Sequence, residues 1–219
     1  MTLFSGVTAS LLSALGIGFL LGIRHATDGD HVVAVTAIAS GEKSVTRALR
    51  IGAAWGLGHS ATLFLVGGAI VLFGLTVPPR LGLAFEMLVA LMLIGLGAWT
   101  LSGRELGAAH SVRRPMAVGF VHGLAGSAFV ALLVLAAIPG WLAQISYLAL
   151  FGLGTVAGMA AITGALAWPA TLAARRFGNV RQGLRIASGV ASIAFGLILA
   201  HKVGVVDGLF ASTPTWTPK

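Results

Sequence analysis

The sequence predicts an all-α protein: a polytopic membrane bundle of six transmembrane helices that forms one domain over residues 1–219. Its composition is the first reason. Of the 219 residues, 57% are hydrophobic and 9% are charged, with a mean hydropathy of +0.97, whereas a soluble domain carries about 25% charged residues. Apolar runs of about 20 residues, the length of one bilayer crossing, are the second reason. These runs are continuous rather than alternating, which favours helices over the strands of a barrel.

The apolar runs between loop signals define the predicted spans. They cover about residues 6–40, 48–75, 81–101, 116–138, 142–168 and 184–206. The first run is too long for one crossing and is interrupted by the polar segment Arg24–His31. Pro78, Pro139 and Pro169 are expected to end the runs that they follow, because proline lacks an N–H and clashes with the preceding turn. The polar tail after the sixth span contains two prolines, and we expect it to be poorly ordered.

Basic residues are concentrated in alternate loops. The loops after the first, third and fifth spans hold Lys43, Arg47, Arg50, Arg104, Arg113, Arg114, Arg175, Arg176, Arg181 and Arg185. The other two loops contain only Arg80. The positive-inside rule therefore predicts a multi-pass protein of the cell (inner) membrane, with the odd loops in the cytoplasm and both termini outside. This distribution explains the net charge of +8 without a nucleic-acid partner.

The two halves of the chain, about residues 6–101 and 116–206, resemble each other. Gly22–His25 aligns with Gly119–His122, and Gly56–His59 aligns with Gly152–Thr155, at offsets of 97 (22 to 119) and 96 (56 to 152). Each half has three spans, an odd number, so the second half enters the membrane inverted. Inverted repeats with interrupted helices are a recurring transporter design, in which the interruption marks the binding site.

The polar segment of the first span holds five ionisable residues: Arg24, His25, Asp28, Asp30 and His31. Each costs about 2.5–3.5 kcal/mol to insert into a bilayer. A structural alternative, in which Arg24 neutralises one aspartate, leaves two imidazoles and a carboxylate unexplained. At about 100° per residue, His25, Asp28 and His31 share one helical face. Asp30 points away from that face, so it can join the same site only if the helix unwinds, most easily at Gly29.

Imidazole and carboxylate ligands without a thiolate are typical of sites for Ni²⁺, Co²⁺, Zn²⁺ or Cu²⁺; the chain has no cysteine. Mg²⁺ and Ca²⁺ prefer oxygen ligands alone. The same groups also suit a proton relay, and both uses are compatible because metal displaces protons from its ligands.

Histidines elsewhere extend the candidate site. His59 lies in the middle of the second span and is a further candidate ligand. His122, the repeat partner of His25, has no acidic neighbours, so it either completes the site from the other half or simply forms a hydrogen bond there. We interpret Glu86 as a packing or gating residue, and His110 and His201 as solvated.

These residues resemble the signatures of the nickel/cobalt transporter (NiCoT) family, within the wider group that includes lysine-type exporters. The signature R-H-A-x-D-A-D-H is matched by Arg24–His31 with one change, from alanine to Gly29. The signature L-G-H-S is matched by Leu57–Ser60. The resemblance implies secondary uptake of Ni²⁺ or Co²⁺, with His25, Asp30, His31 and His59 as ligand or selectivity residues.

The chain also departs from that family. A later motif, G-F-D-T-A-x-E, is present only as Gly152–Gly158, without its acidic positions. The typical member has about eight spans and a long central loop, so this chain is more similar to the short relatives associated with urease maturation.

The sequence therefore predicts a single transmembrane transport domain that is not an enzyme and has no permanently bound cofactor. Its substrate is a divalent transition-metal ion, Ni²⁺ first and Co²⁺ second. The predicted metal ligands are His25, Asp28, Asp30, His31 and His59, with His122 as a further candidate. Three alternatives remain: a metal exporter with the same site, an exporter of a small organic cation or amino acid with aspartate counter-charges, and a non-transporting accessory subunit. Oligomerisation is left open.

Overall fold

The computed structural model describes residues 15–75, 77–103, 112–124, 135, 137–177 and 179–216. The described helices are α1 (Leu15–His25), α2 (Gly29–Ala39), α3 (Val45–Phe73), α4 (Pro79–Leu101), α5 (Arg113–His122), α6 (Trp141–Arg176) and α7 (Val180–His201). A π-helical turn, Lys202–Val206, extends α7. The predicted all-α class is confirmed.

Among the residues that the structure describes, four helices are long and apolar enough to cross a membrane. The candidate spans are Val45–Ile70, Pro79–Leu101, Trp141–Ala174 and Val180–Val206. The first predicted span is divided into the shorter apolar helices α1 and α2. Of the fourth predicted span the structure describes α5 and a few residues near its end.

The first span breaks where its polar residues begin. Helix α1 ends at His25, and α2 begins at Gly29 after a turn in which Asp28 has an extended backbone, with φ −61° and ψ 145°. The break that we expected near Gly29 is therefore present. The prediction that His25, Asp28 and His31 share one helical face is wrong. Helical periodicity applies only within a continuous helix, and no continuous helix connects these three residues.

Helices α1 and α6 run parallel and touch through their backbones. Gly18 lies against Tyr147, and a Cβ at Gly22 would collide with the carbonyl oxygen of Phe151. Residue numbers therefore rise together along the two helices. Small residues at such contacts allow membrane helices to approach closely.

Helix α3 runs antiparallel to α6. A Cβ at Gly52 would collide with Thr163, whereas further along α3 the Ser60 hydroxyl donates to the Gly152 carbonyl at 3.0 Å. Residue numbers thus rise along one helix as they fall along the other. This pairing joins the two halves of the chain through the middle of the bundle.

Helix α5 runs parallel to α3. A Cβ at Gly119 would collide with the carbonyl oxygen of Trp55, and one at Gly123 would lie 2.6 Å from that of His59. Helix α6 is parallel to α1 and antiparallel to α3, and α5 is parallel to α3. Helices α1 and α5 therefore run in opposite directions. Both end at a histidine, so they approach the centre of the bundle from opposite sides.

The remaining pair, α4 and α7, is antiparallel and supports α2. The Ser192 hydroxyl donates to the Leu93 carbonyl at 2.7 Å, and the Thr100 hydroxyl of α4 donates to the Ala37 carbonyl of α2 at 3.2 Å. Buried apolar residues on α2 and α4 form one core cluster with α3. This core holds α2 against α3 and α4.

Pro169 does not end its span, contrary to the prediction. Helix α6 continues through it to Arg176. A proline removes one donor from a helix, and membrane helices tolerate this loss where neighbouring groups or local adjustments satisfy the freed carbonyl.

The polar tail is also more structured than expected. Residues 207–216 fold back onto α4, where Trp216 Nε1 donates to Glu86 Oε1 at 2.8 Å. Arg80 donates to the carbonyl oxygens of Ala211 and Ser212 at 3.1 and 3.3 Å. Glu86 is therefore a packing residue for the tail, one of the two roles predicted for it.

Candidate metal centre

Four imidazoles from four helices meet in the centre of the bundle. This histidine cluster consists of His25 from α1, His31 from α2, His59 from α3 and His122 from α5. The ring of His31 is central: its centroid lies 4.5 Å from that of His25, 4.9 Å from His59 and 4.6 Å from His122. His31, His59 and His122 are completely buried, and His25 is 6% exposed.

The helix ends and glycine contacts explain how these side chains converge. His25 and His122 are the last residues of α1 and α5, and His31 lies in the first turns of α2. His59 lies beside Gly58, where a Cβ would collide with the Met116 carbonyl. The missing side chain therefore lets α5 approach α3 closely enough to bring His122 to His59.

Trp55 forms one wall of the cluster. It precedes His59 by about one turn of α3, and its ring centroid lies 5.4 Å from that of His31 and 5.3 Å from that of His122, both edge to face. Trp55 is completely buried. Trp55 is not among the residues predicted from the sequence. Its position one helical turn before His59 is the one local signal, and its contacts with His31 and His122 involve other helices.

The first group of potential ligands consists of His25, His31 and His59, whose ligand atoms lie within 4.8 Å of one another. His25 Nε2 and His59 Nε2 are 3.0 Å apart. Two nitrogens that bind one ion at about 2.1 Å and at right angles are about 3.0 Å apart. The separation of these two atoms therefore matches that of two ligands of one ion, which would displace the proton between them.

Asp28 contacts this group from outside. Its carboxylate accepts a hydrogen bond from His25 Nδ1 at 3.0 Å, and its side chain is 43% exposed. A carboxylate that accepts a hydrogen bond from Nδ1–H keeps the proton on Nδ1. The lone pair is then on Nε2, the nitrogen that faces His59. Asp28 thus orients His25 and belongs to neither group of ligand atoms.

The second group consists of Asp30, His31 and His122, again within 4.8 Å. His122 Nε2 donates to Asp30 Oδ2 at 2.9 Å, and Asp30 Oδ1 lies 3.1 Å from His31 Nδ1. The same Oδ1 accepts the backbone N–H of His31 at 3.0 Å, which fixes the carboxylate. Because α1 ends before Asp30, the carboxylate turns inward toward α5 instead of lying on the far side of one long helix.

Several buried nitrogen atoms in the cluster lack a hydrogen-bond partner among the residues that the structure describes. They are His31 Nε2, His59 Nδ1 and His122 Nδ1. Buried polar atoms are almost always satisfied, because an unmade hydrogen bond costs about 1–3 kcal/mol. A buried imidazole nitrogen without a hydrogen-bond partner can instead bind a transition-metal ion.

The structure brings together most of the residues selected from the sequence. His25, Asp30, His31 and His59 meet, and His122 joins them. The purely structural alternative, an Arg24 ion pair, is not observed: among the described ion pairs none joins this exposed arginine to an aspartate. His201 is exposed, and His110 lies outside the described residues.

Two proteins are similar to the chain over most of its length. The chain is 32% identical over 219 aligned residues to the urease accessory protein UreH of Bacillus sp. (strain TB-90), covering 91% of this chain and 96% of that protein. It is 24% identical over 214 residues to the chloroplast protein FOR GROWTH AND FERTILITY 2 of Arabidopsis thaliana, covering 86% of this chain and 56% of that protein. No protein-family model and no solved structure matches the chain.

Proposed function

The chain belongs to the family of the urease accessory protein UreH, and on that premise we propose that it is a secondary transporter of divalent transition-metal ions. The preferred ion is Ni²⁺, with Co²⁺ second, and the direction is uptake across the cell membrane. The observation that carries the proposal is the histidine cluster, four buried imidazoles contributed by four helices.

The donor chemistry supports a borderline metal ion. Four imidazoles and one carboxylate suit Ni²⁺, Co²⁺ or Zn²⁺. They suit Mg²⁺ and Ca²⁺ poorly, because those ions prefer oxygen ligands. The resemblance of Arg24–His31 and Leu57–Ser60 to nickel/cobalt transporter signatures favours Ni²⁺ and Co²⁺ within that set. The urease-related name of the Bacillus relative supports a nickel-related role.

Each polar residue has a distinct role in this proposal. His25, His31 and His59 are ligands, and Asp30 is the ligand that reduces the charge of the bound ion. His122 is a ligand from the other half of the chain. Asp28 positions His25 by accepting a hydrogen bond from its Nδ1 at 3.0 Å.

The proposed architecture is six spans in two inverted repeats, with both termini outside. Matched contacts support it: Gly22 meets the Phe151 carbonyl as Gly119 meets the Trp55 carbonyl. In the alignment of the two halves, Gly22 matches Gly119 at an offset of 97, and Trp55 matches Phe151 at an offset of 96. The repeat therefore relates the first contact to the second. The opposite directions of α1 and α5 fit the same inverted relationship.

Uptake of radioactive nickel by cells that express the full chain tests the function. We expect His31→Ala and His59→Ala to reduce uptake to the level of cells without the protein. His201→Ala replaces an exposed histidine outside the cluster and should transport like the parent. Equal uptake by parent and His31→Ala at matched membrane expression would show that the cluster does not carry nickel.

The same cells test the direction. Loss of an importer should lower cellular nickel and starve nickel enzymes. Loss of an exporter should instead raise cellular nickel and its toxicity, and that result would assign the same cluster to export.

A further inference from the structure

We propose that the histidine cluster contains two successive stations for the transported ion, which lie on either side of His31 and share it. The first station is His25, His31 and His59, and the second is Asp30, His31 and His122. This inference rests on the proposed function and adds a route through the site. The ion passes from one station to the other by ligand exchange at His31.

The central position of His31 is the first observation. It is the one residue that belongs to both groups of ligand atoms. Its ring centroid is 4.5 Å from that of His25 and 4.6 Å from that of His122. An ion bound to His31 can therefore reach either imidazole through a small displacement.

The directions of the helices are the second observation. The backbone contacts make α1 antiparallel to α5, and each of these helices ends at its histidine. His25 is therefore presented from one side of the bundle and His122 from the other. The C-terminal ends of both helices carry partial negative charge, which favours a cation on each side of His31.

The matched environments of His25 and His122 are the third observation. Each follows by three residues a glycine that touches the opposite half, Gly22 against Phe151 and Gly119 against Trp55. Movement of one half against the other would loosen one contact as it tightens the other. Such a movement would open one station to its side of the membrane and close the other.

The exchange is balanced in ligands and charge. Asp30 and His122 replace His25 and His59 as ligands, and the ion keeps its +2 oxidation state throughout. For His122 to bind through Nε2, the proton that this atom donates to Asp30 moves to Nδ1 of the same ring, which has no hydrogen-bond partner among the described residues. The first station is three neutral imidazoles, whereas the second is two neutral imidazoles and one carboxylate. Because the two stations meet at His31, ligands remain within reach of the ion during the exchange, and a bare ion in the apolar centre of the bundle, which would be costly, is avoided.

The test is equilibrium Ni²⁺ binding to purified full-length protein, together with X-ray absorption spectroscopy that counts imidazole ligands. His25→Ala should keep the second station, and His122→Ala should keep the first. Each should therefore bind Ni²⁺ within about tenfold of the parent affinity, with the carboxylate ligand present in His25→Ala and absent in His122→Ala. His31 belongs to both stations, so His31→Ala should lose more than about a hundredfold in affinity for Ni²⁺. That loss exceeds the effect of removing a group that only orients a ligand, about 10–100-fold.

Transport into proteoliposomes completes the test. Both His25→Ala and His122→Ala should bind Ni²⁺ yet fail to move it, whereas His201→Ala should bind and transport normally. Retained binding also shows that each variant is folded. Loss of binding in both single variants would establish one undivided site and overturn the two stations, as would full transport by His122→Ala. If the parent protein binds no Ni²⁺, the proposed function itself is wrong.

Discussion

His25 Nε2 and His59 Nε2 lie 3.0 Å apart between α1 and α3. The two residues are 34 positions apart in the chain, and the break of the first span at His25 allows them to meet. Their separation is close to that of two nitrogens bound to one ion at right angles, about 3.0 Å. The pair thus links a local interruption of a helix to a site that can accept a metal.

The contact between Asp28 and His25 predicts a moderate effect of Asp28→Asn. Removing a group that orients a metal-binding histidine typically costs about 10–100-fold in affinity. Because the group of Asp30, His31 and His122 is untouched, we expect the affinity for Ni²⁺ to fall by no more than about tenfold, the lower end of that range, with unchanged stoichiometry, measured by calorimetric titration. Asp207→Asn, which removes the partner of Lys202 far along the chain, serves as the control. Complete loss of binding in Asp28→Asn would instead identify Asp28 as a ligand.

The contact between Gly119 and the Trp55 carbonyl predicts that Gly119→Ala separates α5 from α3. Overpacking of this kind costs about 1–3 kcal/mol, so the thermal unfolding temperature and Ni²⁺ uptake should both fall. A Cβ at Gly95 of α4 meets no atom within 4 Å. Gly95→Ala is therefore the matched control and should leave both properties unchanged. Equal behaviour of the two variants would show that α5 does not depend on this contact.

The position of Trp55 against His31 and His122 predicts a fluorescence signal. A Ni²⁺ ion bound in the cluster should quench Trp55, because an open-shell ion next to an excited indole shortens its lifetime. Trp55→Phe should remove most of the quenching. Trp168→Phe changes a 62% exposed tryptophan on α6 and should retain it. Unaltered quenching in Trp55→Phe would place the ion elsewhere.

The hydrogen bond between Trp216 and Glu86 predicts that the tail contributes to stability but not to metal binding. Trp216→Phe should destabilise the protein by about 0.5–1.5 kcal/mol through the lost hydrogen bond, seen as a lower unfolding temperature in detergent. Its affinity for Ni²⁺ should equal that of the parent. Trp141→Phe, at a 63% exposed position, is the control. A changed affinity in Trp216→Phe would connect the tail to the site.

Local sequence features predicted the candidate residues better than their arrangement. The excessive length of the first span, its polar residues and Gly29 together predicted the break, because each is a property of one segment. The helical face that included Asp28 was wrong because helical periodicity fails at that break. The inward turn of Asp30 follows from the same break.

Contacts between distant segments could not be predicted from the sequence. Whether His122 would meet Asp30 depends on how closely α5 packs on α3, and that packing depends on Gly58 and Gly119 rather than on any residue near His122. Trp55 was missed for the same reason, since its contacts are with three histidines of which two lie on other helices. The continuation of α6 through Pro169 likewise depends on its surroundings.

The most direct test of a metal site in the histidine cluster is Ni²⁺ binding to the purified full-length protein and to His31→Ala, measured by elemental analysis after removal of free metal. We predict about one Ni²⁺ per parent chain, because both groups of ligands share His31. His31→Ala should retain none. A parent protein without bound Ni²⁺, or a His31→Ala protein that binds as much as the parent, would contradict the account.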